Sequence, residues 1–410
     1  MKAEIIAVGT EILLGDILNT NAQYLALQLA KLGIDVYYQT VVGDNPERLE
    51  NTIFHAFSRA NVIITTGGLG PTEDDLTKET GAKYFEEELV LDERALKRIE
   101  NYFNKTGRKM TENNRKQAYV PKNSKVLYND NGTAPGIIIE KNNKILVMLP
   151  GPPKETVPMF EKQVKPFLSQ KQEYTFVSRV LRIAGVGESA METMVKDLID
   201  NQTNPTIAPY AKDSESLLRI TAKAQNKQQA EELIAPVAEE IYRRFEHNIY
   251  AEGETNMQTV VAELLLKKQK TISTAESCTG GAIASALVEY AGISSVFLDG
   301  CVTYSNASKQ NRLGVKSETL QKYGAVSAET AKEMAEGAAK TAGTNIGLST
   351  TGVAGPDGGT EQKPVGLVYI GLTIDGVTKT KECHFVGNRE KIRVRTVYTA
   401  LDWLRRELLK

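Results

Sequence analysis

Through residues 1–170, short apolar runs alternate with longer stretches in which apolar positions recur every three or four residues. The runs Ile5 to Gly9, Ile34 to Val42, Val62 to Thr66 and Ile145 to Leu149 read as strands. Asn21 to Leu32, stopped at Gly33, and Pro46 to Ser58 read as amphipathic helices. Such alternation predicts an α/β domain.

Residues 171–250 follow another rhythm. Phe176 to Ala184 and Leu217 to Ala224 are strand-like, and Glu188 to Asp200 and Gln228 to Phe245 are helical. This β-α-β-α order suggests a small α+β module, closed by a polar junction over 248–256. A second α/β domain, 251–410, opens with the helix Met257 to Lys268. It continues through a short strand ending at Thr274, a helix from Ala282, a strand Gly300 to Tyr304 and a helix Asn306 to Leu313. An alanine-rich helix, Ser327 to Ala342, precedes the strand Ile346 to Thr351 and a glycine-rich loop, Gly352 to Gly366. Leu367 to Ile374 and Lys379 to Phe385 form a hairpin around Asp375-Gly376, and Asn388 caps a terminal helix.

Composition narrows the function classes. A net charge of −1 gives no global basic field, so a nucleic-acid partner is not expected. No apolar run approaches the ~18 residues of a membrane span. The start, Met1-Lys2-Ala3-Glu4, enters a strand directly and does not read as a signal peptide. Three scattered cysteines suit a reducing cytosol rather than a disulfide framework or zinc site. With only three histidines, His55, His247 and His384, a Ser-His-Asp triad has little support.

The densest chemistry lies in Ala275-Glu276-Ser277-Cys278-Thr279-Gly280-Gly281, at a strand-to-helix turn. Such a turn sets a serine beside unpaired helix N–H groups, which predicts Ser277 as an acyl-transfer nucleophile with an oxyanion hole near Thr279 to Gly281. Its base would be a Lys, a Tyr or another Ser. Tyr304 and Lys309, five residues apart, can meet across one turn, and Lys309 could act directly or by polarising Tyr304. Arg389 and Arg393 share a helix face, and either could hold a phosphate.

Two N-terminal segments also end strands, where open α/β sheets bind ligands. The first contains Gly9-Thr10-Glu11, Asp16 and Asn19; the second contains Gly67-Gly68-Leu69-Gly70-Pro71-Thr72-Glu73-Asp74-Asp75. The glycines would let backbone N–H groups approach a phosphate, with a helix starting near Pro71-Thr72 behind them. Asp74 and Asp75 would hold a hard divalent cation bridging to that phosphate. The run Gly185-Val186-Gly187-Glu188 fits neither a dinucleotide fingerprint nor the Gly-x-x-Gly loop of RNA-binding KH domains.

In this order, the motifs resemble the CinA family (competence/damage-inducible protein A) over essentially the whole chain. Leu149-Pro150-Gly151-Pro152-Pro153 completes the N-terminal signature. The resemblance implies three parts: 1–170, a molybdopterin-binding-like domain with metal-dependent ADP-ribose pyrophosphatase activity; 171–250, a KH-type connector; and 251–410, a nicotinamide-mononucleotide deamidase. It implies Ser277 as nucleophile, Tyr304 and Lys309 as the general-base pair, and substrate contacts from Thr279, Gly280, Thr351 and Gly352. Ser294 or Ser295 would match a further family serine, and Arg389 or Arg393 a phosphate ligand. For the N-terminal substrate it implies Gly9, Thr10, Glu11, Asp16, Asn19, Gly67, Gly68, Gly70, Pro150 and Gly151. A magnesium- or cobalt-type ion at Asp74 and Asp75, with potassium a further candidate, would serve that site; the C-terminal site would need no cofactor. The resemblance also implies a cytoplasmic homodimer. Rival readings are molybdopterin binding without hydrolysis and a partner role in competence or recombination.

Overall fold

The computed structural model describes residues 1–211 and 215–410. The chain packs into two compact units: Met1–Val177 with Ala222–Glu231, and Ser178–Thr221 with Glu232–Lys410.

The first unit is built on six strands: β1 (Lys2–Val8), β2 (Asp35–Val42), β3 (Val62–Thr66) and, later in the chain, Ser124–Leu127, Gly136–Lys141 and Lys144–Leu149. In spatial order these run Asp35–Val42, Lys2–Val8, Val62–Thr66, Lys144–Leu149, Gly136–Lys141, Ser124–Leu127. The first four are parallel and the last two antiparallel. Every residue of β3 is buried, as expected of a strand covered on both faces. Separate apolar clusters lie on the two sides, one around Leu25, Ile64 and Phe160, the other around Ile53, Ile63 and Met148. Both candidate loops leave the C-terminal ends of parallel strands, β1 and β3.

Two expectations need correction here. No helix starts at Pro71-Thr72; the helix begins at Thr77, after a turn held by Asp75. The polar junction 248–256 contains a strand, Ile249–Glu252, which pairs antiparallel with Thr175–Ile183. Together with Thr206–Ala211 and Ser216–Ala224 they form a four-stranded sheet.

The second unit also carries a five-stranded mixed sheet in the order Phe297–Val302, Ile272–Glu276, Ile346–Gly352, Leu367–Ile374, Val377–His384. The first three strands are parallel, and the last two form the expected hairpin. Asp375 and Gly376 both have positive φ (48° and 85°), the requirement of a type I′ two-residue hairpin turn. The serine turn therefore sits at the C-terminal end of a strand flanked on both sides. Among the described residues, no helix is long and apolar enough to cross a membrane.

Candidate active site

Strand Ile272–Glu276 is wholly buried, and Ser277 follows it directly. The Ser277 N–H donates to the Thr350 carbonyl (3.0 Å) on the neighbouring strand, which fixes the first residue of the turn. The helix Asn306–Leu313 is capped by Ser305 and points Lys309 back into the sheet. Lys309 is fully buried, and its Nζ donates to Ser277 Oγ at 3.1 Å and to the Thr303 carbonyl at 2.8 Å. Burial lowers the Lys309 pKa from the usual lysine range, and no carboxylate opposes it with an ion pair among the described residues. A lysine shifted this way can accept the Ser277 proton. Cys278 is the adjacent rival nucleophile, but burial pushes its thiol up to about 11, so it stays protonated and inert.

The expected meeting of Tyr304 and Lys309 side chains is not what the turn produces. Tyr304 lies two residues beyond its strand and is 64 % exposed. Its carbonyl faces Lys309 Nζ (3.4 Å), while its hydroxyl accepts from Arg389 Nη2 (3.2 Å). Arg389 also donates to the Gly355 carbonyl (2.8 Å), and Arg393, one helical turn on, donates to the Thr279 carbonyl (2.9 Å). Both arginines thus reach the turn region, Arg389 from the side of Tyr304. Gly280 lies beside the Arg393 guanidinium. Thr351 is buried with its hydroxyl donated to the Ala325 carbonyl, so it faces away. Thr350 takes its place, sharing a hydroxyl–hydroxyl bond with Thr279 (2.7 Å). Gly352 is pressed against Leu367 and Val368 of the next strand. Ser294 and Ser295 are exposed in a turn before the N-terminal end of Phe297–Val302, the opposite end of the sheet from Ser277. His384 pairs with Glu382 on the exposed edge strand, apart from the serine turn.

The helix N–H groups expected near Ser277 are not free. Glu276, 0 % exposed, accepts from Gly281 N (2.9 Å) and Ile283 N (3.1 Å) with Oε2 and from Ala284 N (2.8 Å) with Oε1. Gly280 N is directed at the Ser277 carbonyl (3.2 Å). The N–H groups of Gly280 and Gly281 are thus already paired in this structure. Thr279 N makes no hydrogen bond among the described residues.

In the first unit the predicted loops surround a cavity of about 610 Å3. Gly9, Glu11, Asn19, Gly67, Gly68, Gly70, Asp74, Asp75, Pro150 and Gly151 all line it. Thr10 and Asp16 do not: Thr10 holds Asp44 through its N–H and hydroxyl (2.9 Å each), and Asp16 is exposed. Gly67 and Gly68 have φ of 101° and 67°, and a Cβ on either would lie 2.1 Å from Val8 O or Thr77 Oγ1. Asn19 caps the helix Thr20–Lys31. The paired aspartates divide their work. Asp75 Oδ2 accepts from Thr72 N (2.9 Å) and Thr72 Oγ1 (2.6 Å), whereas Asp74 is exposed with no hydrogen bond or ion pair among the described residues. No group of three or more His, Cys, Asp or Glu converges as a metal site among those residues. The sequence reading missed Lys116, whose Nζ holds the Thr72 (3.2 Å) and Asp75 (2.8 Å) carbonyls, and Gln117, which lines the cavity. Only their position beside the loop in the fold reveals them.

Three family models match in succession: "Probable molybdopterin binding domain" over 4–170, "Damage-inducible protein CinA KH domain" over 178–251 and "CinA C-terminal domain" over 254–408. A competence-damage inducible protein of Clostridium beijerinckii is 60% identical over 410 residues, and one of Clostridium acetobutylicum 56% over 409, each alignment covering 100% of both chains. Among solved structures, a competence/damage inducible protein from Agrobacterium tumefaciens is 41% identical, covering 38% of this chain and 98% of its own, with a TM-score of 0.36. By these matches along its full length, the chain belongs to the CinA family of competence-damage inducible proteins.

Proposed function

We propose that the chain is a two-headed hydrolase of pyridine-nucleotide salvage. The C-terminal head would convert nicotinamide mononucleotide to nicotinic acid mononucleotide and ammonia. The observation that carries this reading is the buried contact between Lys309 Nζ and Ser277 Oγ. Neutral Lys309 takes the hydroxyl proton as Ser277 Oγ attacks the carboxamide carbon. The proton passes to the leaving nitrogen, ammonia departs, and water then opens the acyl-enzyme by the same base. Arg389 supplies a cation for the 5′-phosphate, with Tyr304 orienting its guanidinium. Ammonia release from nicotinamide mononucleotide, compared with Ser277→Ala, tests the reading.

The N-terminal head would hydrolyse ADP-ribose to AMP and ribose 5-phosphate. The cavity's donors are carboxylates and carbonyls, a hard set without thiolate or imidazole at hand, which suits magnesium or a similar divalent ion. Because no three protein ligands converge among the described residues, Asp74, with Glu11 also on the cavity wall, would hold the ion jointly with the substrate's phosphates. The ion would supply charge neutralisation on the pyrophosphate. Gly67, Gly68 and Gly70 offer main chain close to it, and Lys116 keeps the loop rigid. Molybdopterin binding remains the competing reading of this cavity, favoured by the matching family model; metal-dependent AMP release separates the two. A cytosolic homodimer is a further part of the proposal, and a role alongside competence or recombination proteins is its rival.

A further inference from the structure

We propose that Glu276 is a positioning residue of the serine turn: by occupying the N–H groups of Gly281, Ile283 and Ala284, it leaves the main-chain N–H of Thr279 to receive the oxyanion. This deepens, and rests on, the reading of Ser277 as nucleophile.

A carboxylate buried to 0 % exposure, with three N–H partners at 2.8 to 3.1 Å, is a specified arrangement. It joins the last residue of the strand to the residues five, seven and eight positions on, so the chain between them must bulge outward. The bulge is Ser277 to Gly280, and several of its main-chain groups have partners. Ser277 N meets Thr350 O, Gly280 N meets Ser277 O, and Thr279 O receives Arg393. The Thr279 side chain is tied to Thr350, and Ser277 Oγ to Lys309. Thr279 N has no acceptor among the described residues, whereas the Cys278 N–H is directed at its own thiol sulfur. A donor held still with no partner of its own is what a developing oxyanion needs. A Glu276 side chain that no longer grips the three N–H groups would let them compete for the oxyanion and let the turn relax away from Lys309.

The test uses the full-length protein and a fluorophosphonate, so that it does not depend on the natural substrate. The Ser277 Oγ–P bond forms, the P–F bond breaks, fluoride leaves and the hydroxyl proton passes to Lys309. In Glu276→Gln the maximal labelling rate should fall at least tenfold with the half-saturating probe concentration unchanged and the melting temperature near that of wild type. A purely structural role would instead lower the melting temperature and move both constants together, and that result overturns the proposal, as does labelling at the wild-type rate. If Glu276→Gln does not fold, Glu276→Asp keeps the charge on a shorter arm; a maximal rate between zero and wild type supports the proposal, and a wild-type rate refutes it. Wild-type protein that never labels at Ser277 removes the nucleophile reading and this proposal together. Wild-type labelling without ammonia release rejects only the nicotinamide substrate.

Discussion

Lys309 Nζ sits 3.1 Å from Ser277 Oγ, deep under the strand end that carries the serine, although thirty-two residues separate them in sequence. Burial of the lysine makes the contact chemically useful, because desolvation favours its neutral, proton-accepting form. Lys309→Met should therefore lower kcat for ammonia release by about 10²–10⁴-fold, the range of general-base loss. Lys309→Arg should not restore it, since guanidinium stays protonated. Steady-state ammonia assays decide this.

Tyr304→Phe should cost less than Lys309→Met by at least an order of magnitude in kcat. The Tyr304 hydroxyl touches Arg389 and not Lys309, so its loss should appear chiefly in KM. A kcat loss equal to that of the lysine variant would restore Tyr304 to the general-base pair.

The pH dependence has a definite sign. Activity requires neutral Lys309, so kcat/KM should rise with pH through an inflection below the usual lysine range. Stability gives a separate check at Lys78, whose pKa burial lowers to about 8. Between pH 8 and the ordinary value of about 10.4, the unfolded chain binds the extra proton, so stability should rise with pH across that window. Lys78→Met should flatten that part of the curve in chemical denaturation.

Asp74 and Asp75 should separate cleanly. Asp74→Asn should abolish metal-dependent AMP release while leaving the melting temperature unchanged, because its carboxylate holds nothing in the fold. Asp75→Asn should destabilise the first unit by about 1 kcal/mol through its two turn bonds. Paired turnover and thermal-melt measurements distinguish them.

Much of this was legible in the sequence. The strand-ending motifs were visible because tight turns need particular residues: Gly67 and Gly68 at positive φ, Asp375-Gly376 in the hairpin. The serine turn between strand and helix was equally clear. What stayed hidden was side-chain direction. Tyr304 and Lys309 lie close enough in sequence to suggest contact, but the Ser305 cap turns the helix so that Lys309 points inward and Tyr304 outward. Thr350 and Thr351 alternate across one strand, and the register that places Glu276 opposite Thr350 fixes which of them serves the turn. Ile249–Glu252 escaped notice because it is a short edge strand with polar neighbours. Glu276 entered the sequence reading only as part of the serine motif, and only the close packing of strand and helix shows what it binds.

The central claim is that Ser277 and Lys309 form an amide-cleaving pair, and ammonia release from nicotinamide mononucleotide tests it most directly. Wild type should release ammonia stoichiometrically with nicotinic acid mononucleotide, and Ser277→Ala and Lys309→Met should both lose that activity while remaining folded. Release by Ser277→Ala at the wild-type rate, or none by wild type, would contradict the account.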